Sequence, residues 1–170
     1  MVHELLFLVV CAGLCFSTPC LASVQQPSLS SCSSTQVLKV SGVSITNAKV
    51  GQTMLFNYTG DLTTSLANSP KLNFTMTVKS TGNLVPCLLN VGSCQYKLCG
   101  GTTTIEQEIA APWNNQCPIP AMTYTSSVAI AIPALASLII GDGNVHLKIA
   151  GVNGGSVIGC IEFDFKIAKN

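Results

Sequence analysis

Alternation of apolar and polar residues with a period of two, broken at intervals by Gly, Asn, Pro and Ser, constrains this chain more than any other feature. In Met54 to Tyr58, the residues Met54, Phe56 and Tyr58 share one face and Asn57 takes the other. From Leu72 to Val78 the residues Leu72, Phe74, Met76 and Val78 face one way, and Lys71, Asn73, Thr75, Thr77 and Lys79 the other. Near the C-terminus, Val145, Leu147 and Ile149 alternate with His146 and Lys148. Beyond Val152-Asn153-Gly154-Gly155-Ser156, a second run places Val157, Gly159, Ile161, Phe163, Phe165 and Ile167 opposite Ile158, Cys160, Glu162, Asp164 and Lys166. Asn-Gly between two such runs signals a tight hairpin, because its turn needs positive φ. Weaker strand candidates are Val37–Ile45, Leu84–Cys87, Thr103–Ile109 and Thr123–Ile132. Almost nothing reads as helix. About seven strands separated by turn signals predict an all-β fold, an antiparallel β-sandwich with one core.

The sequence carries 48% hydrophobic and only 9% charged residues, which excludes long disorder. All eight basic residues are Lys. Scattered lysines without a single Arg do not make the dense basic face that nucleic acid requires, so no nucleic-acid partner is expected.

Part of the apolar excess lies in residues 1–22, read as a signal peptide ahead of one domain at 23–170. Leu5 to Phe16 (LLFLVVCAGLCF) is an apolar run of signal length, too short for a spanning helix of roughly 20 residues. Cys20-Leu21-Ala22 before Ser23 offers a small-x-small cleavage site, with Ser17 as the alternative. Residues 23–31 read as a loose start to the mature chain.

Processing there leaves Cys32, Cys87, Cys94, Cys99, Cys117 and Cys160. Six cysteines in a secreted chain predict three disulfides among 15 possible connectivities. A zinc site fails on spacing, since no C-x2-C pair occurs and His146 alone remains. Asn57-Tyr58-Thr59 and Asn73-Phe74-Thr75 are glycosylation sequons, whereas Asn68-Ser69-Pro70 is not. Both sequon asparagines fall on the polar side of their strands.

Catalytic chemistry is scarce. His146 sits in a polar strand register. Glu106/Glu108 and Glu162/Asp164 lie at i, i+2 and on strands would each share a face, as acid–base work requires, but with Lys148 and Lys166 nearby they read as ordinary surface charge. No nucleophile elbow, P-loop or dinucleotide fingerprint is present. The chain is expected not to be an enzyme and to need no metal or cofactor. Two segments escape the strand pattern. Ala110-Ala111-Pro112-Trp113 holds the single Trp, and Ile132 to Gly143 (IPALASLIIGDG) is apolar where a loop is normally polar. The latter reads equally as buried core or as an exposed apolar rim.

Val85-Pro86-Cys87, Gly92-Ser93-Cys94, Cys99, Cys117-Pro118 and Gly159-Cys160-Ile161 resemble the ML domain, a family of small secreted lipid-recognition proteins. Within it, VPCLLNVGSCQYKLC is most similar to the ganglioside activator, a sphingolipid activator. The resemblance covers about Cys32 to Ile167. It implies an Ig-like two-sheet sandwich with an apolar cavity between the sheets, and the pairings Cys32–Cys160, Cys87–Cys94 and Cys99–Cys117. It also implies a secreted or lysosomal carrier of a membrane lipid, with transient contact to a membrane surface. A lysosomal glycosidase would be its client, or a receptor its partner; a sterol carrier and an immune-receptor accessory protein are the alternatives. Ganglioside activators usually carry a fourth disulfide near the residues matching Cys99 and Cys117, and this chain has none there. In a carrier of this kind the inward residues Phe56, Phe74, Met76, Ile105, Ile130, Leu147 and Phe163 are the expected lipid contacts. Trp113, Leu135, Leu138, Ile139 and Ile140 are the expected membrane contacts.

Overall fold

The computed structural model describes residues 23–169; the expected signal peptide lies outside them. Two antiparallel sheets face each other as an Ig-like sandwich. One has the order β1 (Val24–Gln25), β3 (Leu38–Thr46), β4 (Thr53–Leu62), β7 (Thr123–Ala131). The other has the order β2 (Ser30–Ser31), β9 (Ser156–Lys166), β8 (Asn144–Asn153), β5 (Lys71–Val78), β6 (Gln95–Lys97). The strands with the clearest alternation are the ones that pair over their whole length. Successive side chains on a strand point to opposite faces, so Met54 and Phe56 of β4 are buried beside exposed Leu55, and Val145, Leu147 and Ile149 of β8 are buried beside His146 and Lys148. Residues 23–31 are not loose. Val24 and Gln25 pair with Thr46 and Ile45, and Ser30 and Ser31 with Glu162 and Ile161.

The β8–β9 hairpin turns at Gly154 and Gly155, with φ of 58° and 83°, and Asn153 pairs with Ser156 across it. The turn therefore uses Gly-Gly, and the Asn153 side chain instead accepts the Asn68 N–H at 3.0 Å. Disulfides join Cys32 to Cys160, Cys87 to Cys94 and Cys99 to Cys117.

Two further expectations are corrected. Thr103–Ile109 is not a strand: Thr104–Ala110 is a helix, α1, followed by a 3-10 turn at Ala111–Trp113. Thr103 accepts the Glu106 N–H, and the Glu106 carboxylate reaches back to the Thr103 N–H. This reciprocal capping box satisfies two donors that a helix start otherwise leaves unpaired. Ile105 and Ile109, four apart, then share the buried face. Leu84–Cys87 is not a full strand either, forming only isolated bridges of Leu84 to Thr77 and Pro86 to Ser93. Pro86 has no N–H to give a ladder.

At one side of the sandwich β3 lies directly on β9. A Cβ on Gly159 would fall 1.9 Å from the Leu38 carbonyl oxygen, so only glycine permits this approach. At the other side the edges of β6 and β7 do not meet, and α1 fills the gap. Among the described residues no helix is long and apolar enough to cross a membrane.

Candidate functional site

Side-chain rows running across β5, β8 and β9 set the depth of the space between the sheets. Phe74, Ile149 and Ile161 form one row, and Met76, Leu147 and Phe163 the next. The first row lines a cavity; the second does not. Phe56, Tyr58, Val128 and Ile130 line it from the opposite sheet, and Ile105, Ile109 and Trp113 close its side. Its volume is about 100 Å³, a narrow slot beside the ~300–1,000 Å³ typical of ligand pockets.

Nothing polar is left free in its wall. The Tyr58 hydroxyl donates to the Ile109 carbonyl at 3.2 Å, Tyr96 to Asn90 at 2.6 Å, and Tyr124 to Pro120 at 2.7 Å. Burial pushes the Tyr58 phenol up to about 12, and burial together with the Glu106 carboxylate does the same for Tyr96. Burial also raises Tyr124. All three therefore stay protonated donors at physiological pH. The Trp113 indole N–H is spent on the Leu98 carbonyl, and its ring meets Tyr124 edge-on at 5.2 Å. Among the described residues no buried side-chain nitrogen or oxygen lacks a partner. With these donors committed to backbone carbonyls, the wall offers mainly dispersion and dryness, and no free side-chain hydroxyl or indole donor to a guest.

Of the expected lipid contacts, Phe56, Phe74, Ile105 and Ile130 stand in the cavity wall. Met76, Leu147 and Phe163 do not. They share the inward register but lie one row deeper, where Phe56 stacks on Phe163 at 6.4 Å and the sheets are packed closed. Alternation reports which face a residue takes; it carries no information on whether the opposing sheet touches it.

The expected membrane contacts separate as well. Trp113 is half-buried in the cavity wall beside Tyr124, at the start of β7. Residues 134–138 form a 3-10 turn beyond the other end of β7, about 23 Å away at ~3.3 Å per strand residue. Leu135 and Leu138 project from this turn, 58% and 79% exposed. Ile139 packs against the core, and Ile140, 1% exposed, is part of it. The tip of the segment is thus exposed and apolar and its end is core; none of residues 132–143 lines the cavity, so the tip does not form a rim at its mouth.

The carboxylate pairs do not form acid–base sites. The helix turns Glu106 and Glu108 apart. Glu106 is 7% exposed, and its carboxylate takes N–H bonds from Lys97 (2.9 Å), Thr102 (3.0 Å) and Thr103 (3.1 Å), with the Thr103 hydroxyl at 3.0 Å. Burial alone would raise its pKa, but these donors outweigh burial and hold it below the ordinary value. A Cβ on Gly101 would sit 2.5 Å from Glu106 Cβ, so a glycine makes room for it. Glu108 accepts the Ala129 N–H on the β7 edge. The signal for this arrangement was in the sequence, as Thr103-Thr104-Ile105-Glu106 fits the capping-box spacing. On the outer face, His146 Nδ1 lies 2.8 Å from Asp164 and Nε2 3.7 Å from Glu162. Lys79 also bonds Asp164, and Lys79 first and His146 second hold that carboxyl below its ordinary range. The sequon residues Asn57 and Asn73 sit on the outer faces, bonded to Ser44 and Gln95 respectively. No group of three or more metal-ligating side chains occurs among the described residues.

A protein-family model described as the ML domain matches residues 26–167. The fold is similar to the crystal structure of a Niemann-Pick type C2 protein from Japanese carpenter ant, at TM-score 0.52 and 10% identity. The match covers 84% of this chain and 99% of that one. No curated protein sequence matches the chain.

Proposed function

Because the chain belongs to the ML-domain family, we propose that it is a carrier that takes a lipid out of a membrane and presents it, without catalysing a reaction on it. The observation that carries this reading is the cavity between the sheets, overwhelmingly apolar and with the tyrosine hydroxyls of its wall already bonded. Phe56, Phe74, Ile105 and Ile130 are the proposed contacts for the guest's apolar body. Burying a methylene is worth about 0.8 kcal/mol relative to water, but a lipid in a bilayer already has that term. Extraction is then close to a neutral exchange, and its rate depends on a path that keeps chains out of water. A slot of about 100 Å³ is small beside the ~300–1,000 Å³ of typical ligand pockets, so in this reading loading widens it by parting the sheets.

The VPCLLNVGSCQYKLC run favours a sphingolipid guest with its headgroup outside. A sterol suits the same apolar wall equally well, and the short Cys99–Cys117 loop lacks the additional disulfide of ganglioside activators. Leu135 and Leu138 are the proposed membrane contacts. Three disulfides fit a secretory or lysosomal route, where oxidising conditions preserve them. A client glycosidase or a receptor remains part of the sphingolipid and immune-accessory versions of this reading.

The test is expression of the full chain in a secretory host, purification without detergent, solvent extraction and mass spectrometry of the extract. Stoichiometric lipid is expected, and its headgroup decides between sphingolipid and sterol. No bound lipid, combined with no uptake from labelled vesicles at neutral or acid pH, would overturn the carrier reading.

A further inference from the structure

The two open sheet edges beside the cavity are bridged by one short segment, and its attachments are unequal. Toward β6, the attachments are many. Glu106 takes the Lys97 N–H on the free edge of β6, and the Trp113 indole donates to the Leu98 carbonyl. Asn115 exchanges two bonds with the Gly101 backbone, at 3.0 and 2.8 Å. The Cys99–Cys117 disulfide closes the whole segment into a loop on this side. Toward β4 and β7, α1 packs against β7 and makes two hydrogen bonds: Glu108 accepts the Ala129 N–H on the free edge of β7, and the Tyr58 hydroxyl donates to the Ile109 carbonyl; no covalent link holds it on this side. Trp113 adds an edge-on ring contact with Tyr124. The inner face of the same helix, Ile105 and Ile109, is cavity wall.

We infer that α1 is a strap over the lipid portal: it stays fixed to β6, lets go of β7 at Glu108 and Tyr58, and the guest passes between the β6 and β7 edges. This rests on the carrier reading and gives it a route. The opposite side of the sandwich offers no comparable route, because β3 lies on β9 with Leu38 against Gly159 and Cys32 is bonded to Cys160. A free strand edge presents unpaired N–H groups, and the two glutamates cap one such group on each sheet. Releasing Ala129 exposes a single backbone N–H to water, where it is hydrated, while Lys97 stays paired. Parting the sheets there also widens the slot. Glu108, outside the cavity wall, acts as a positioning residue for the strap; it sets a rate and leaves the guest's affinity largely alone, because entry and exit cross the same barrier. Tyr58 also lines the cavity, so its substitution is read by rates alone.

The experiment follows transfer of dehydroergosterol and of an NBD-labelled ceramide, each from phosphatidylcholine vesicles, with amide hydrogen exchange on the unloaded chain. For Glu108→Ala, loading and release of the transferred probe are both expected to quicken about tenfold, the scale of one lost hydrogen bond to a charged group, at unchanged final loading. Exchange at Ala129 should rise while Lys97 stays protected. Glu108→Gln keeps a carbonyl acceptor for Ala129 without the charge, and should bring the rates part of the way back toward wild type, whereas a role of the charge alone would leave them as in Glu108→Ala. Tyr58→Phe loosens the same edge independently and serves if Glu108→Ala does not fold. Wild-type rates in both Glu108→Ala and Tyr58→Phe, with normal loading by the wild type, would overturn the strap and leave the carrier reading standing. Failure of the wild type to load either probe would overturn the carrier reading and the strap with it.

Discussion

Replacing Glu106 by Gln tests how the strap is anchored. Oε1 of the carboxylate accepts the Lys97 N–H, and Oε2 accepts the Thr102 and Thr103 N–H groups and the Thr103 hydroxyl. A carboxamide has one acceptor oxygen. Placed at Oε2 it keeps the Thr102 and Thr103 bonds, and its NH2 then faces the Lys97 N–H, donor against donor. One buried N–H left unpaired costs about 1–3 kcal/mol, and the remaining bonds lose their charge assistance. The sum is about 3 kcal/mol, which in a domain of this size lowers Tm by roughly 6–12 °C. The pH dependence has a definite sign. Because the folded Glu106 pKa lies below its ordinary 4.5, its contribution is fully present above that value and is lost as the pH falls through the folded pKa. The gap between wild type and Glu106→Gln should therefore be constant from pH 7 down to about 5 and shrink below about 4.5. Chemical denaturation at several pH values measures it. A Glu106→Gln chain within about 0.5 kcal/mol of wild type at pH 7, or a gap that widens in acid, would refute the anchoring argument.

Three further outcomes are expected. Removing the Cys99–Cys117 bridge by a double Ser substitution opens a loop with a sequence separation of 18. By chain entropy this costs about 3 kcal/mol, read by denaturant midpoint, and it should raise amide exchange in α1 before that in β8 and β9. Gly159→Ala drives a Cβ into the Leu38 carbonyl; a loss of at least about 2 kcal/mol is expected, and near-neutral stability would show that β3 does not press on β9. Leu135→Asp with Leu138→Asp changes two exposed side chains, so thermal stability should stay within about 0.5 kcal/mol. Sedimentation with vesicles should fall several-fold, and unchanged sedimentation would remove residues 134–138 from the membrane-contact role.

Much of the sandwich was legible because its strands are half-buried. Where one face meets core and the other water, as at Val145–Ile149 or Leu72–Val78, period-two alternation follows directly. The cysteine spacing carried the family resemblance for similar reasons, since few folds place cysteines in that order. Thr103–Ile109 misled because TIEQEI alternates and also satisfies a helix, with Ile105 and Ile109 four apart. Pattern could not choose between them, but the capping-box spacing favoured the helix.

Sequence alone determined the inward and outward registers and the sandwich class, because each of these depends on residue type and near neighbours. Tertiary structure decided where the inward residues meet empty space and where they meet each other. Phe74 and Met76 share a face two residues apart, yet one lines the slot and the other is buried in the row of Leu147 and Phe163, where there is no cavity. It also decided that Glu106 and Glu108 hold two sheet edges together: the Lys97 and Ala129 N–H groups they cap are brought within reach only by the folded chain.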